Sequence, residues 1–176
     1  TTEIICPELP FFNIKYLQKP QSNIAFIAFQ KIKKDLITWS ANEMPEIDKT
    51  MCTYFDISMS VKSKINSYCK NLDLTSAYAS ILYNDFFITK ETFDFISKLK
   101  KKDRLVCVGM LAAHKDVFTY QNGVPILHDE EISPLEGYFY YCVDRTASIM
   151  RKLATTLERD FIFTWVDGIY YNDGEA

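Results

Sequence analysis

Two aspartates stand at junctions in otherwise apolar sequence. Asp73 lies between two leucines and is followed by Thr75 and Ser76, and Asp167 lies between two segments rich in aromatic residues. A carboxylate in apolar surroundings is costly unless it is paired, hydrogen-bonded or bound to a cation. Two carboxylates brought together repel each other, and a divalent ion between them relieves that repulsion. Because oxygen ligands suit Mg²⁺ or Mn²⁺, the pair predicts a metal site for phosphoryl chemistry.

The same two residues also allow a purely structural interpretation. Asp73 would then cap the helix that follows it, as aspartate often does at a helix start. Asp167 would be an ordinary turn residue, because Asp-Gly is a common turn pair. The spacing of the two residues leaves both interpretations open.

Periodicity predicts the elements that must position the two aspartates. Residues 71–84 read as a short strand that runs into a helix, with Asp73 at the junction. Residues 137–159 carry an apolar stripe at helical spacing and predict a long amphipathic helix. Residues 161–171 predict a β-hairpin whose tight turn is Val-Asp-Gly. Each aspartate is therefore expected at the end of a strand.

The rest of the chain adds helices, strands and a second hairpin. Thr89 is the expected cap of one of the helices, and Asn122-Gly123 is a strong hairpin signal. The predicted helices are residues 23–41 and 90–100, the predicted strands are 50–60 and a buried strand at 104–113, and the second hairpin spans 117–127.

Composition narrows the class of protein. The chain has 176 residues, of which 48% are hydrophobic, so it is expected to form one domain, or one domain with an extension, and not a disordered chain. Its apolar runs are too short for a membrane helix, and no membrane partner is expected. A formal charge of -3 argues against a sequence-blind nucleic-acid binder. Five scattered cysteines and two histidines argue against structural zinc and indicate a reducing, cytoplasmic setting.

Two sequence runs resemble motifs of family B DNA polymerases. Asp-Leu-Thr-Ser-Ala-Tyr-Ala-Ser-Ile, which begins at Asp73, resembles motif A, written D-x-x-S-L-Y-P-S-I. Phe-Thr-Trp-Val-Asp-Gly-Ile-Tyr-Tyr, which begins at Phe163, resembles motif C. The order of the runs, with a long helix before the second, is similar to that in the family's palm domain. The resemblance implies an α+β fold, with an antiparallel palm-like sheet backed by helices and with fingers and thumb absent. It also places the origin of the chain in a phage or mobile element.

The resemblance assigns a role to each matching position. Asp73 and Asp167 would be the catalytic ligands of Mg²⁺ or Mn²⁺. The other substrate-binding positions would be Leu74, Ser76, Ala77 and Tyr78. The Leu74 carbonyl would lie close to the second metal position, Ser76 and Ala77 would offer backbone N–H groups to the triphosphate, and the ring of Tyr78 would lie under the sugar. The N–H groups would lie at a helix N-terminus, where anions are favoured. The ring of Tyr78 would exclude a 2′-hydroxyl, whereas the pattern alone also fits a core aromatic.

The chain departs from the family pattern at several places. Trp165 stands where the family has the first aspartate of its D-T-D sequence, and Ala79 replaces a proline. Nothing between the two motifs reads K-x-x-x-N-S-x-Y-G, the fingers motif that grips the nucleotide. Arg104, Lys115 and Arg145 are the cations that would contact phosphate in its place, and the alternative for each is a surface salt bridge.

The function implied by the resemblance is metal-dependent nucleotidyl transfer in DNA replication. Its partners would be DNA, nucleoside triphosphates and other replication proteins, in the host cytoplasm if the chain is phage-encoded. One alternative is a catalytically inactive, palm-derived scaffold, and a second is a metal-dependent nuclease. The chain would divide into an N-terminal extension with one helix, residues 1–49, and a palm-like domain, residues 50–176, as a piece of a longer protein.

Overall fold

The computed structural model of the chain describes residues 2–4, 14–16, 23–39, 43, 46–47, 56 and 69–172. Two short 3₁₀ turns, Met110–Ala112 and Glu158–Asp160, follow helices of the described part. The helices and strands in chain order are β1 (Thr2–Ile4), β2 (Ile14–Tyr16), α1 (Asn23–Thr38), β3 (Cys69–Asp73), α2 (Ala77–Asn84), α3 (Lys90–Ser97), α4 (Lys101–Gly109), β4 (His114–Gln121), β5 (Val124–Ile132), α5 (Glu136–Leu157), β6 (Phe161–Trp165) and β7 (Gly168–Asn172). β1 pairs with β2 in antiparallel fashion.

Helix α1 forms because small and apolar residues recur at helical spacing. Ala25, Ala28, Ile32 and Leu36 are all buried and lie three or four residues apart along one face. The predicted helix over residues 23–41 is therefore confirmed, although it ends at Thr38. Trp39 lies just beyond the last helical residue and is 46% exposed.

A buried carboxylate ties α1 to the start of α3. The Asp35 side chain is buried and accepts hydrogen bonds from the backbone N–H and the hydroxyl of Thr89, both at 2.8 Å. The Thr89 hydroxyl oxygen in turn accepts from the Thr92 N–H at 3.3 Å, which caps α3. The predicted helix and its cap at Thr89 are confirmed.

Helices α1 to α4 and the first half of α5 share one hydrophobic core. Helix α1 packs on α3 and α4, and α2 packs on α5. The largest fully buried residues of this core are Ile32, Leu82, Ile88, Ile96 and Leu111. Helix α1 thus shares its core with helices beyond residue 49, while the division of the chain at that residue stays a prediction.

Among the described residues, the sheet that positions the aspartates has three antiparallel strands in the order β3–β7–β6. Helix α5 packs against β6 and β7. Thr164 and Ile169 face this helix and are fully buried, and Ile169 clusters with Met150 and Ala154 of α5. The predicted long helix and the predicted hairpin after it are confirmed. The fold is α+β, with an antiparallel sheet backed by a helix, as expected.

The second hairpin, β4–β5, turns at Asn122-Gly123 as predicted. Asn122 has φ of 52° and Gly123 has φ of 77°, the two positive values of a type I′ turn. Both residue types tolerate this backbone, which explains why the pair is a reliable hairpin signal. The strands are longer than the expected 117–127, since they begin at His114 and end at Ile132.

The predicted buried strand at residues 104–113 is wrong. This segment is the end of α4, Lys101–Gly109, followed by a 3₁₀ turn. Its buried residues are Cys107, Val108 and Leu111, and successive members lie one and three positions apart, as on one face of a helix. A short apolar run fits either a buried strand or a buried helix, and periodicity does not separate the two.

The predicted strand at residues 50–60 lies outside the described residues except for Asp56. The backbone N–H of Asp56 donates to the Thr164 hydroxyl oxygen, and its carbonyl accepts from the Thr164 N–H, both at 3.0 Å. The chain at Asp56 therefore lies beside β6. In the described part of the chain, no helix is both long enough and apolar enough to span a membrane.

Candidate functional site

The structure brings Asp73 and Asp167 to one end of the sheet. Asp73 is the last residue of β3 and lies in register with Gly168, the first residue of β7. Asp167 immediately precedes Gly168 in the turn that joins β6 to β7. The N–H of Leu74 donates to the carbonyl of Asp167 at 3.0 Å. Two residues that are 94 positions apart in sequence are thus neighbours across one strand pair.

The surroundings of Asp73 differ from the expectation. Every residue of β3 is exposed, Asp73 included, and β3 lies at the edge of the sheet that the described strands form. The idea that apolar sequence buries this carboxylate is therefore wrong. Asp167 is only half-buried. A solvent-accessible carboxylate needs no fixed partner, so the cost of burying a charge does not by itself demand a cation here.

A glycine lies between Asp73 and the exposed indole of Trp165. Trp165 pairs with Gly168 on the other side, so the three residues form one row across the sheet. A Cβ added to Gly168 would lie 3.6 Å from the Asp73 Oδ1 and 3.5 Å from the Trp165 carbonyl. The Asp73 carboxylate therefore leans over Gly168. Trp165 is 65% exposed, whereas Gly168 is buried.

Left-handed backbone flanks both aspartates. Ser76, three residues after Asp73, has φ of 51°, and Val166, directly before Asp167, has φ of 55°. Such values are uncommon outside glycine and are outliers for a β-branched residue. Strained backbone concentrates at functional sites, where the surrounding structure holds it in place. Both junctions thus carry a conformation that their residue types do not favour.

The other motif A residues lie at the start of α2. The Ser76 carbonyl accepts the first helical hydrogen bond, from the Ser80 N–H at 3.0 Å. Ala77 is the first helical residue and is buried. Tyr78 is half-buried and meets Phe139 of α5 edge to face, with ring centroids 5.7 Å apart. Tyr78 thus packs on the helical core, and its contact with a sugar stays a prediction.

Two of the three candidate phosphate-binding cations have contacts in the structure. Arg145 donates to the Asp85 carboxylate at 3.1 Å, which is the salt bridge expected as the alternative. Arg104 donates to the Leu99 carbonyl at 2.6 Å, just beyond the end of α3. The side chain of Lys115 lies outside the described part of the structure. The two arginines are therefore engaged away from the aspartates.

The oxygen ligands at this site suit a hard cation that takes only a few of its ligands from the protein. Among the described residues no group of three or more histidine, cysteine, aspartate or glutamate side chains converges on a metal position. Asp73 and Asp167 would supply carboxylate oxygens, and Leu74 a carbonyl. Mg²⁺ in phosphoryl-transfer sites is held by one or two carboxylates together with substrate phosphates and water, and two aspartates fit that pattern.

One cluster of charged residues was not predicted from the sequence. His114, at the start of β4, contacts Glu130 of β5 through Nδ1 at 2.8 Å and Glu136 of α5 through Nε2 at 3.1 Å. Hydrogen bonds first to Glu130 and then to Glu136 raise the pKa of His114 above its ordinary value of 6.5. No local signal marks these contacts, because they join residues 16 and 22 positions apart.

A second network lies between α2 and α5. The Tyr141 hydroxyl donates to the Asp85 carboxylate at 2.8 Å, beside Arg145. Burial and this hydrogen bond raise the pKa of Tyr141 to about 12. The network fastens α2, which carries the motif A residues, to the helix that supports the sheet.

Comparison of the chain with protein-family models, with curated proteins and with solved structures finds no match.

Proposed function

We propose that this chain is a palm-like domain for metal-dependent nucleotidyl transfer in DNA replication. The observation that carries the proposal is the register of β3 on β7, which places Asp73 opposite Gly168 and beside Asp167. Two carboxylates at one open sheet end are the ligands that a divalent ion for phosphoryl transfer requires. The motif A and motif C resemblance names the same two residues.

Each part of the site has a role in this proposal. Asp73 and Asp167 hold Mg²⁺ or Mn²⁺, which when bound neutralises charge on the reacting phosphate. The backbone N–H groups at the start of α2, from Ser76 and Ala77, face the anionic end of the nucleotide. The substrates are a DNA strand end and a nucleoside triphosphate. Helix α5, buried against β6 and β7, fixes the sheet so that the carboxylates keep their spacing.

Primer extension tests the proposal directly. The chain is incubated with a labelled primer on a template, the four deoxynucleoside triphosphates, and Mg²⁺ or Mn²⁺. Asp73→Asn and Asp167→Asn keep side-chain size and remove the charge. Asp160→Asn is the matched control, because this exposed residue lies before the opposite end of β6, about 16 Å of strand away. Melting temperatures of all four proteins verify that they fold equally well.

The outcomes separate the three candidate functions. Nucleotidyl transfer is supported if the wild type and the control extend the primer and the extension activity of both active-site variants is at least tenfold lower. Primer shortened in an Asp73-dependent manner would identify a nuclease. Binding of the primer-template by all four proteins without any change in primer length would identify a scaffold and contradict the proposal. Extension unchanged in both variants would equally refute it.

A further inference from the structure

Four exposed lysines lie where α3 ends and α4 begins. We call them the lysine cluster, and they are Lys98, Lys100, Lys101 and Lys102. In the part of the chain that the structure describes, none of the four side chains makes a hydrogen bond or an ion pair. The exposed acids of α3 are already engaged, because Glu91 pairs with Lys31 and Asp94 pairs with Lys90. The charge of the cluster is therefore not neutralised by these neighbours.

Local packing holds the junction that carries the cluster. Lys98 is the C-cap of α3 and Lys100 is the N-cap of α4, with the buried Leu99 between them. The Arg104 guanidinium donates to the Leu99 carbonyl at 2.6 Å, and the Arg104 backbone N–H donates to the Lys100 carbonyl at 3.0 Å. The backbone is thus anchored on both sides while the lysine side chains stay in solvent.

The helix dipoles do not explain why these cations are there. Lys98 lies at a helix C-terminus, where the dipole favours positive charge. Lys101 and Lys102 lie in the first turn of α4, where the dipole disfavours it. The four lysines occupy five consecutive positions, at most about 14 Å of chain. Like charges at this density repel each other in the free protein, and a multiply charged anion would relieve the repulsion.

The charge of this junction is opposite to that of the whole chain. Residues 98–104 contain five cations and one acid, whereas the chain has a formal charge of -3. The remaining residues are therefore acidic on balance and repel a polyanion, which the junction attracts. Near the aspartates, Arg104 and Arg145 do not supply this charge, since both are engaged elsewhere. A DNA backbone held by this chain needs cations from another surface.

We propose that the lysine cluster binds the phosphate backbone of the DNA strand on which the chain acts. The inference rests on the proposed function, which requires an acidic chain to hold DNA. Duplex DNA carries one negative charge per about 1.7 Å of its axis, so its charge density suits four adjacent lysines. A membrane surface suits the cluster less well, because segments that bind there also insert apolar side chains. The one apolar residue among residues 98–104 is Leu99, which is buried.

The salt dependence of binding tests the cluster without catalysis. Fluorescence anisotropy of a labelled single-stranded oligonucleotide is measured in EDTA, so that no divalent ion links the strand to the aspartates. Each phosphate contact on a single strand adds about 0.7 to the slope of log affinity against log salt. The double variant Lys101→Gln/Lys102→Gln should therefore lower the slope by about 1.4 and weaken binding about 25-fold at 0.1 M salt. The matched control is Arg151→Gln/Lys152→Gln, which removes two adjacent exposed cations from α5 and should retain the slope.

Two further measurements separate a loss of charge from a loss of structure. The glutamine double variant should melt at the wild-type temperature or above it, because it removes cations that the dipole of α4 disfavours. Lys101→Arg/Lys102→Arg keeps both charges and should retain the wild-type slope. If the arginine variant loses as much affinity as the glutamine variant, charge is not the cause and the proposal is wrong.

Competing polyanions decide whether the partner is DNA. Polyglutamate with the same number of charges should displace the oligonucleotide only weakly, and equal affinity for it would overturn the assignment. Phosphatidylserine vesicles that displace the oligonucleotide, but fail to do so with Leu105→Ala, would identify a membrane surface instead, since Leu105 is an exposed apolar residue of α4. An unchanged slope and affinity in the glutamine variant would refute the proposal outright.

The lysine cluster and the proposed function fail separately. If Asp73→Asn abolishes primer extension while the glutamine double variant binds and extends DNA as the wild type does, nucleotidyl transfer stands and the cluster proposal is wrong. If the glutamine variant loses binding in a chain that never extends a primer, the cluster proposal stands and the catalytic one is wrong.

Discussion

The turn before Asp167 places a β-branched residue in left-handed backbone. Val166 has φ of 55° and is 59% exposed, and it is the first central residue of the two-residue loop between β6 and β7. Asp167, the second central residue, is not among the residues with positive φ. These signs match a type II′ turn, whose first central position is normally glycine. Valine there stores strain next to the site.

Because of this strain, we expect glycine at position 166 to give a more stable protein than alanine, which is the reverse of the usual order in a helix. Left-handed backbone costs an L-residue roughly 1–2 kcal/mol, whereas glycine adopts it freely. Relative to alanine, glycine lowers the free energy of unfolding by roughly 0.4–1 kcal/mol, because the unfolded chain has more entropy with glycine. Both substitutions remove most of the same exposed side chain, so the burial they lose largely cancels. Val166→Gly should therefore be more stable than Val166→Ala by about 1 kcal/mol.

Urea denaturation of the two variants measures this difference, and thermal melting should show it as about 2–4 °C. The control pair is Lys152→Gly and Lys152→Ala, at an exposed position inside α5. There alanine should be the more stable by about 1 kcal/mol, the usual helix preference. If alanine also exceeds glycine at position 166, the backbone there is not strained and the reasoning is refuted.

Three further predictions concern the supports of the site. Because its carboxylate neighbours raise the pKa of His114, the protonated residue stabilises the fold fully below about pH 6.5, and this contribution is lost as the pH rises through the raised value. The difference in unfolding free energy between wild type and His114→Gln should therefore shrink from pH 6 to pH 9; a constant difference would contradict this. Asp35→Ala removes the buried acceptor of two hydrogen bonds and should cost about 1–3 kcal/mol in urea denaturation, with Asp94→Ala, at a more exposed ion pair, as the milder control. Burial raises the pKa of the Cys107 thiol to about 11 and raises that of Cys142 as well. Mass-spectrometric mapping of alkylation at pH 8 should find both labelled far more slowly than the exposed Cys69, and equal rates would show that the helical core opens readily.

Local turn and helix chemistry made a large part of the fold predictable. The Asn122-Gly123 hairpin follows from two residue types that accept positive φ. The long helix α5 and the hairpin after it follow from a change of apolar spacing, from helical to alternating, near residue 160. The cap at Thr89 follows from its hydroxyl. These features depend on residues close together in the chain, and the sequence contains all that is needed.

Features that depend on distant residues were not predictable. The run at residues 104–113 is apolar enough for a strand, but it forms the end of a helix and a 3₁₀ turn that pack against α1 and α5. Asp73 was expected to be buried because leucines flank it, but every residue of β3 is exposed. The contacts of His114 join β4 to α5. Each outcome was decided by which elements meet, and short-range periodicity does not contain that information.

The register of β3 on β7 decides what the two aspartates can do together. With Asp73 opposite Gly168, its carboxylate lies on the open face, in one row with Trp165. Side chains alternate along a strand, so a slip of one residue would turn Asp73 toward the face that packs on α5 and bring Leu72 to the open face. The hydrogen bond from the Leu74 N–H to the Asp167 carbonyl holds the observed register at its functional end. Two aspartates at the right sequence positions are therefore insufficient for the proposed chemistry, because the strand pairing must also bring them to the same end of the sheet.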